Sequence, residues 1–272
     1  MTLNKTLIVF TLILLGLIVL KPAGADGIDR SALSPEEAGF SIARQRDARD
    51  AGFHDFEARL QMVLKNRHGE SSERSLRSRT LEQTADGDKS LVVFDAPADI
   101  DGTALLTFSH KTGDDDQWLY LPALKRVKRI SSSNKSGPFV GSEFAYEDIS
   151  SQEVEEYTYK LVGEEEIDGR KMFVVEQYPV DPRSGYTRQV AWIDQEEYRN
   201  FKIDFFDRKN ELLKTLTYEG YRQYLGKHWR PEFMHMVNHQ TGKSTDLHWE
   251  VYEFQIGLEE HDFNRATLAR AK

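Results

Sequence analysis

Two histidines four residues apart, His235 and His239, offer a first place where chemistry could be built. On a helix that spacing would bring both imidazoles to one face, near enough to share a metal ion. Phe233, Met234, Met236 and Val237 around them read instead as a strand, along which four residues span about 13 Å, too far for one ion. The pair is assigned to a strand surface, and no metal site is expected. Asp114, Asp115 and Asp116 form an acidic run, yet they lack the alternating ligands and closing glutamate of a calcium loop. A solvated hairpin tip accounts for them.

Nucleophile signatures are missing. There is no Gly-x-Ser-x-Gly elbow, no His-Glu-x-x-His, no supported Ser-x-x-Lys and no phosphate-cradling glycine loop. The chain has no cysteine, which removes thiol nucleophiles, thiolate zinc sites and disulfides together. A serine triad is defined by geometry and not by order, so the eight histidines leave one hydrolase possibility, a serine or aspartate beside a histidine inside a groove. The expectation is a non-enzyme without cofactor.

Composition narrows the partners. Of 272 residues, 45 are acidic and 36 basic, for a formal charge of −9 that disfavours nucleic acid. Lys125, Arg126, Lys128 and Arg129 make one short basic run, suited to anionic headgroups, to an acidic partner, or simply to a solvated strand face. At the N-terminus Lys5 precedes an apolar run over residues 7–20, followed by Lys21, Pro22 and Ala23-Gly24-Ala25. This is the order of a cleavable export signal, and the run is shorter than the roughly 18 residues that span a bilayer comfortably. No cysteine stands at the cleavage point to receive acyl chains. The expectation is therefore a signal peptide over residues 1–25 and a single mature domain over 26–272, free in the periplasm and monomeric. Were residues 7–20 to stay uncleaved, the protein would be tethered.

The elements that must position any site follow from periodicity. Ser34, Pro35 and Glu37 spell a capped helix start, and the thin apolar content after them predicts an amphipathic surface helix over about 35–50, more a lid than a core element. From Phe56 the period changes to two, with Ala58, Leu60, Met62 and Leu64 on one face. Turn clusters then separate extended runs at about 72–83, 89–95, 104–108, 118–130, 153–163, 170–179, 186–194, 198–207, 211–222, 230–239 and 244–256. Residues 131–151 break the pattern and read as a flexible Ser/Gly/Asn loop followed by one or two short helical turns. Eleven or twelve strands and few helices predict a mainly β fold, one strongly curved antiparallel sheet.

Such a sheet has more apolar face than the helices can cover, and the uncovered part is an apolar groove. Its candidate lining is Leu60, Met62, Leu64, Trp118, Tyr120, Phe144, Phe205, Met236 and Trp249; methionine and aromatic side chains suit a groove that accepts variable acyl chains.

Gly102-Thr103-Ala104-Leu105-Leu106, Asp116, Trp118-Leu119-Tyr120-Leu121-Pro122, Arg129-Ile130, Phe139, Gly141-Ser142, Phe144 and Tyr146-Glu147-Asp148 together resemble the signature of the LolA-like outer membrane lipoprotein-sorting proteins. Trp192-Ile193-Asp194, Tyr198, Trp229, Pro231, Met234 and Thr241-Gly242 are similar to its second half. The resemblance implies a half-open β-barrel, its concave face covered by helices and binding acyl chains of lipids or lipoproteins. It further implies a carrier between an inner-membrane transporter and an outer-membrane receptor. The chain looks like a longer, divergent branch, often associated with RND-type exporters, so an accessory module of an envelope transporter is the alternative.

Overall fold

The computed structural model describes residues 30–271, so the leader assigned to residues 1–25 lies outside the described residues. Helix α1 (Pro35–Asp50) starts on a reciprocal cap: Ser34 Oγ accepts the Glu37 N–H at 3.2 Å, and the Glu37 carboxylate accepts the Ser34 N–H at 2.9 Å. This satisfies two of the N–H groups that a helix start leaves without partners. The strands that follow are β1 (Asp55–Lys65), β2 (Ser71–Leu81), β3 (Lys89–Ala96), β4 (Ala104–Phe108), β5 (Asp116–Leu121) and β6 (Arg126–Ile130). Helix α2 (Tyr146–Ile149) sits in the connection to β7 (Tyr157–Ile167), β8 (Arg170–Pro179), β9 (Tyr186–Asp194), β10 (Asn200–Asp207) and β11 (Leu212–Glu219). A two-stranded ribbon, β12 (Arg222–Tyr224) with β13 (His228–Arg230), precedes β14 (Phe233–Asn238) and β15 (Ser244–Phe254).

Thirteen of these strands form one antiparallel sheet in the order β6-β5-β4-β3-β2-β1-β15-β14-β11-β10-β9-β8-β7. The first and last strands in sequence are thus neighbours at its middle, where Phe56 faces Phe254 and Lys65 faces Ser244 across a bulge at Arg59/Leu60. The two free edges, β6 and β7, are consecutive along the chain. Laid flat, thirteen strands would be roughly 58 Å wide at about 4.8 Å per spacing. Yet Ile130 of β6 and Tyr159 of β7 belong to one buried cluster, joined through Phe139 and Phe144 of the connection between them. The sheet is therefore curled into a half-open barrel, and residues 131–156 bridge its gap.

The run expected over 118–130 is two strands. Pro122 opens a 3₁₀ turn and Lys125 takes the left-handed conformation, with φ of 48°, so β5 and β6 form a hairpin. The runs expected at 211–222 and 230–239 likewise divide to give the ribbon. Helix α1 lies along β7 through a stripe of Ala38, Gly39, Ile42 and Ala43. A Cβ on Gly39 would meet the backbone N of Lys160 at 2.7 Å and of Leu161 at 2.8 Å. Gly39→Ala gains about 1 kcal/mol of helix propensity but forces helix and strand apart, so a net loss of about 1–3 kcal/mol is expected. A denaturant midpoint equal to or above the parent's would show that α1 is not held this close.

Candidate functional site

The inner wall is built by strand alternation. Leu60 and Met62 (β1), Val92 and Phe94 (β3), Leu119 (β5), Phe173 and Val175 (β8), Ile203 and Phe205 (β10), Met236 (β14) and Leu247 (β15) all point into one continuous core. Helix α1 adds Ile42 and Ala43 from above. Residues 139–149 enter from the gap as a plug: Phe139 is 1% exposed and Phe144 2%, and Phe139 packs on Phe94 with ring centroids 5.6 Å apart. Val140 and Gly141 turn the chain at positive φ, which lets the two phenylalanines point inward from so short a segment.

The plug is tied to the wall by buried polar contacts. Lys214 Nζ of β11 donates to Asp148 Oδ2 at 2.6 Å and to the Glu143 carbonyl at 3.0 Å, and both side chains of this ion pair are about 5% exposed or less. Asp148 also accepts the Tyr186 hydroxyl at 2.9 Å and the Ala145 N–H at 2.6 Å. Arg74 of β2 donates to the Val140 carbonyl, and the Glu147 carboxylate accepts Ser184 Oγ at 2.7 Å and the Gly185 N–H at 2.9 Å. The segment expected as a flexible loop is thus anchored at many points, including Lys135 to Asp181 at 2.8 Å.

Two cavities flank the plug. One, of about 310 Å³, opens at the gap between the β6 and β7 edges beside Asp115, Lys135, Glu147, Glu156 and Tyr157. Burial, reinforced by Asp115, pushes the Glu156 carboxyl up to about 8. Burial and the nearby Asp88 push Glu153 up to about 7, and burial lifts Asp88 itself to about 6. The other cavity, of about 620 Å³, is a mouth under the C-terminal turns of α1, walled by Phe53, Phe56, Tyr198, Tyr221, Trp229 and Met234 and studded with Arg46, Arg199, Lys227 and Arg230.

Of the nine residues read from sequence as groove lining, Leu60, Met62, Phe205 and Met236 lie deep in the inner wall. Leu64 and Trp249 flank it half-buried, the Trp249 indole N–H resting against Met234 Sδ at 3.3 Å. Phe144 belongs to the plug. Trp118 and Tyr120 are not brought together with the rest: they point to the outer face of β5, where Phe263 and Leu268 of the C-terminal segment cover them with Leu91, Val93 and Leu106. Sequence reasoning missed the mouth cations and the Lys214–Asp148 pair. Asp148 stood within the Tyr146-Glu147-Asp148 run, but nothing local marks Lys214 as its counter-ion.

The histidine pair separates as strand geometry requires. His235 Nδ1 contacts Asp246, whereas His239 Nε2 lies 2.8 Å from Thr215 Oγ1. Both alternate with the inward-pointing Met234 and Met236, so the His235–Asp246 contact lies on the outer face and not in the groove. Among the described residues no group of three histidines and acids is arranged to hold a metal ion.

A family model described as "Uncharacterized protein" matches residues 86–270. The chain is similar to the crystal structure of a Vibrio parahaemolyticus domain named as a candidate outer membrane lipoprotein-sorting protein, at 56% identity and a TM-score of 0.85 over 86% of this chain and 100% of that one. It is also similar to a DUF1329 family protein from Desulfovibrio piger, at 31% identity and a TM-score of 0.82 over 86% and 99%. A LolA superfamily protein from Nitrosomonas europaea shares the fold at 21% identity, with a TM-score of 0.68 over 83% and 97%. Among curated proteins none matches.

Proposed function

Because the chain belongs to the family of the Vibrio parahaemolyticus domain and the DUF1329 protein, we propose that it is a non-catalytic periplasmic carrier of acyl chains. In this reading residues 1–25 are a cleaved export signal, residues 26–272 are one lipid-binding domain, and the cargo is a lipid or lipoprotein moving towards the outer membrane. The plug carries the reading. Phe139 and Phe144 fill the inside of a curled sheet from a segment that is not part of that sheet, so they occupy space an acyl chain can take in their stead. Burial contributes roughly 1.5–3 kcal/mol per phenylalanine but about 0.8 kcal/mol per methylene, so a chain of some fourteen methylenes outweighs both rings. No bond need be made or broken; the groove removes the chain from water and releases it when plug and helix return.

Lipid extraction and mass spectrometry of the natively purified protein are expected to recover acyl-bearing molecules in near-stoichiometric amount. Phe144→Ala is expected to raise the affinity for a fluorescent acyl probe about tenfold or more by vacating plug volume, since the roughly 1.5–3 kcal/mol of one phenylalanine's burial no longer competes with the chain. Lipid-free protein that binds no probe in either form would end the carrier reading. A second reading, an accessory module of an RND-type envelope transporter, draws on the exposed Lys125, Arg126 and Lys128 at the free β6 edge. Co-purification with a transporter that survives substitution of Met62 and Met236 would favour it.

A further inference from the structure

The mouth cavity holds charge that the carrier reading does not use. The stripe of α1 that meets the core, Gly39, Ile42 and Ala43, continues one turn on at Arg46, so a half-buried guanidinium stands on the core-facing side of the helix. Its one hydrogen bond among the described residues is a long 3.4 Å contact to the neutral Asn200 Oδ1. Lys227, exposed on the turn of the ribbon, likewise has no carboxylate among the described residues; its Nζ donates to the Ala51 carbonyl, which leaves two of its three N–H groups free there.

The other cations of the mouth are matched. Arg49 meets Glu197 at 3.0 Å, Arg230 meets Asp50 at 2.5 Å, and Arg199 meets Asp194 at 2.9 Å while lying 4.5 Å over the Trp229 ring. Asp88 also lines the mouth, where it accepts the Gln83 N–H at 3.0 Å and Ser151 Oγ at 3.4 Å, and Asp47 is exposed to solvent. With Trp229 thus clamped, its indole N–H is buried and has no acceptor among the described residues. Arg46 lies four positions, about 6 Å along the axis, from the last residue of α1, and Ala51 follows directly, a span that two long cationic side chains can close around one tetrahedral anion.

We infer that the mouth binds the phosphate of an anionic amphiphile, with Arg46 and Lys227 neutralising the headgroup, the Trp229 indole N–H donating to one of its oxygens, and the alkyl chain passing Met234 into the groove. This rests on the carrier reading and names its cargo class. Arg46, half-buried and without a counter-ion among the described residues, gains from a phosphate what a neutral headgroup cannot supply, and the exposed Lys227 at the rim adds a second charge.

The test is titration calorimetry of the purified protein with dodecyl phosphate, dodecyl maltoside and inorganic phosphate. Dodecyl phosphate is expected to bind most tightly, and Arg46→Gln and Lys227→Gln each to weaken it about tenfold or more, with maltoside affinity unchanged. Arg46→Lys should restore most of the loss, and thermal melts of all variants check the fold. If the maltoside binds and Arg46→Gln leaves dodecyl phosphate unaffected, the headgroup site is overturned and the carrier reading stands. If inorganic phosphate binds as tightly as dodecyl phosphate, the ligand is a free anion and the amphiphile assignment falls. If neither dodecyl compound binds, both readings fall together.

Discussion

Lys214→Met is expected to lower the unfolding free energy by about 3–5 kcal/mol, the cost of leaving a buried charge without its partner. The substitution keeps most of the volume, so packing contributes little. It strands Asp148, which the Tyr186 hydroxyl and the Ala145 N–H still contact but no cation balances, and it removes a donor from the Glu143 carbonyl. The double variant Lys214→Met/Asp148→Asn removes both charges at once and should recover much of the loss, since a buried ion pair replaced as a unit is often nearly neutral. Urea unfolding of the four species closes the cycle. A single-variant loss under 1 kcal/mol would mean that the pair does not anchor the plug. Because the pair joins β11 to residues 143–148, the single variant should also admit an acyl probe faster than the parent does.

That anchor shows where the sequence is readable and where it is not. Helix α1 was legible to the residue because Ser34, Pro35 and Glu37 act on their own neighbours, and most strand spans followed from a period of two broken at Asp-Gly and similar turns. The plug was not legible. A Ser/Gly/Asn-rich stretch looks mobile, and what fixes it are partners such as Lys214 and Thr245, 66 and 102 positions away. The misplacement of Trp118 and Tyr120 has a different cause. On β5 both parities are apolar, Leu119 and Leu121 inward and Trp118 and Tyr120 outward, so alternation cannot say which side is concave. The answer depends on Phe263 and Leu268 arriving from the far end of the chain to cover the outside. The mouth was hidden for a related reason. Arg46 lies in the charged tail of a helix, and only the arrival of Lys227 and Trp229 from the ribbon turns it towards a common space.

Stability is expected to fall as pH rises from about 5 to 8.5, and Glu156 is the main source. A carboxyl whose folded pKa is raised contributes its full stability below the unfolded value of 4.5, and that contribution is lost as pH climbs through the folded value, about 8 for Glu156 and about 7 for Glu153. Asp88 adds the same sign, from 3.8 to about 6. His110 agrees with them, because Asp86 raises it above 6.5 and stabilises its charged form at lower pH. His228, lowered by burial, opposes them only below 6.5. The depressed carboxyls act elsewhere: Asp86, at about 2, and Asp181 contribute stability that is present above 3.8 and lost only as pH falls further. Glu156 is half-buried, so screening reduces its share to about 1–2 kcal/mol, or about 3–6 °C in melting temperature for a domain of this size. Glu156→Gln, which keeps the shape and cannot ionise, should flatten most of the slope between pH 5 and 8.5; a parent-like slope in that variant would remove Glu156 from the account. The position of these acids gives the slope a functional reading. Glu153 and Glu156 stand where residues 131–156 cross from β6 to β7, with Asp88 beside Ser151, so charging them as pH rises sets like charges against each other at the closure of the barrel, and acyl-probe entry should quicken over the same interval in which stability declines.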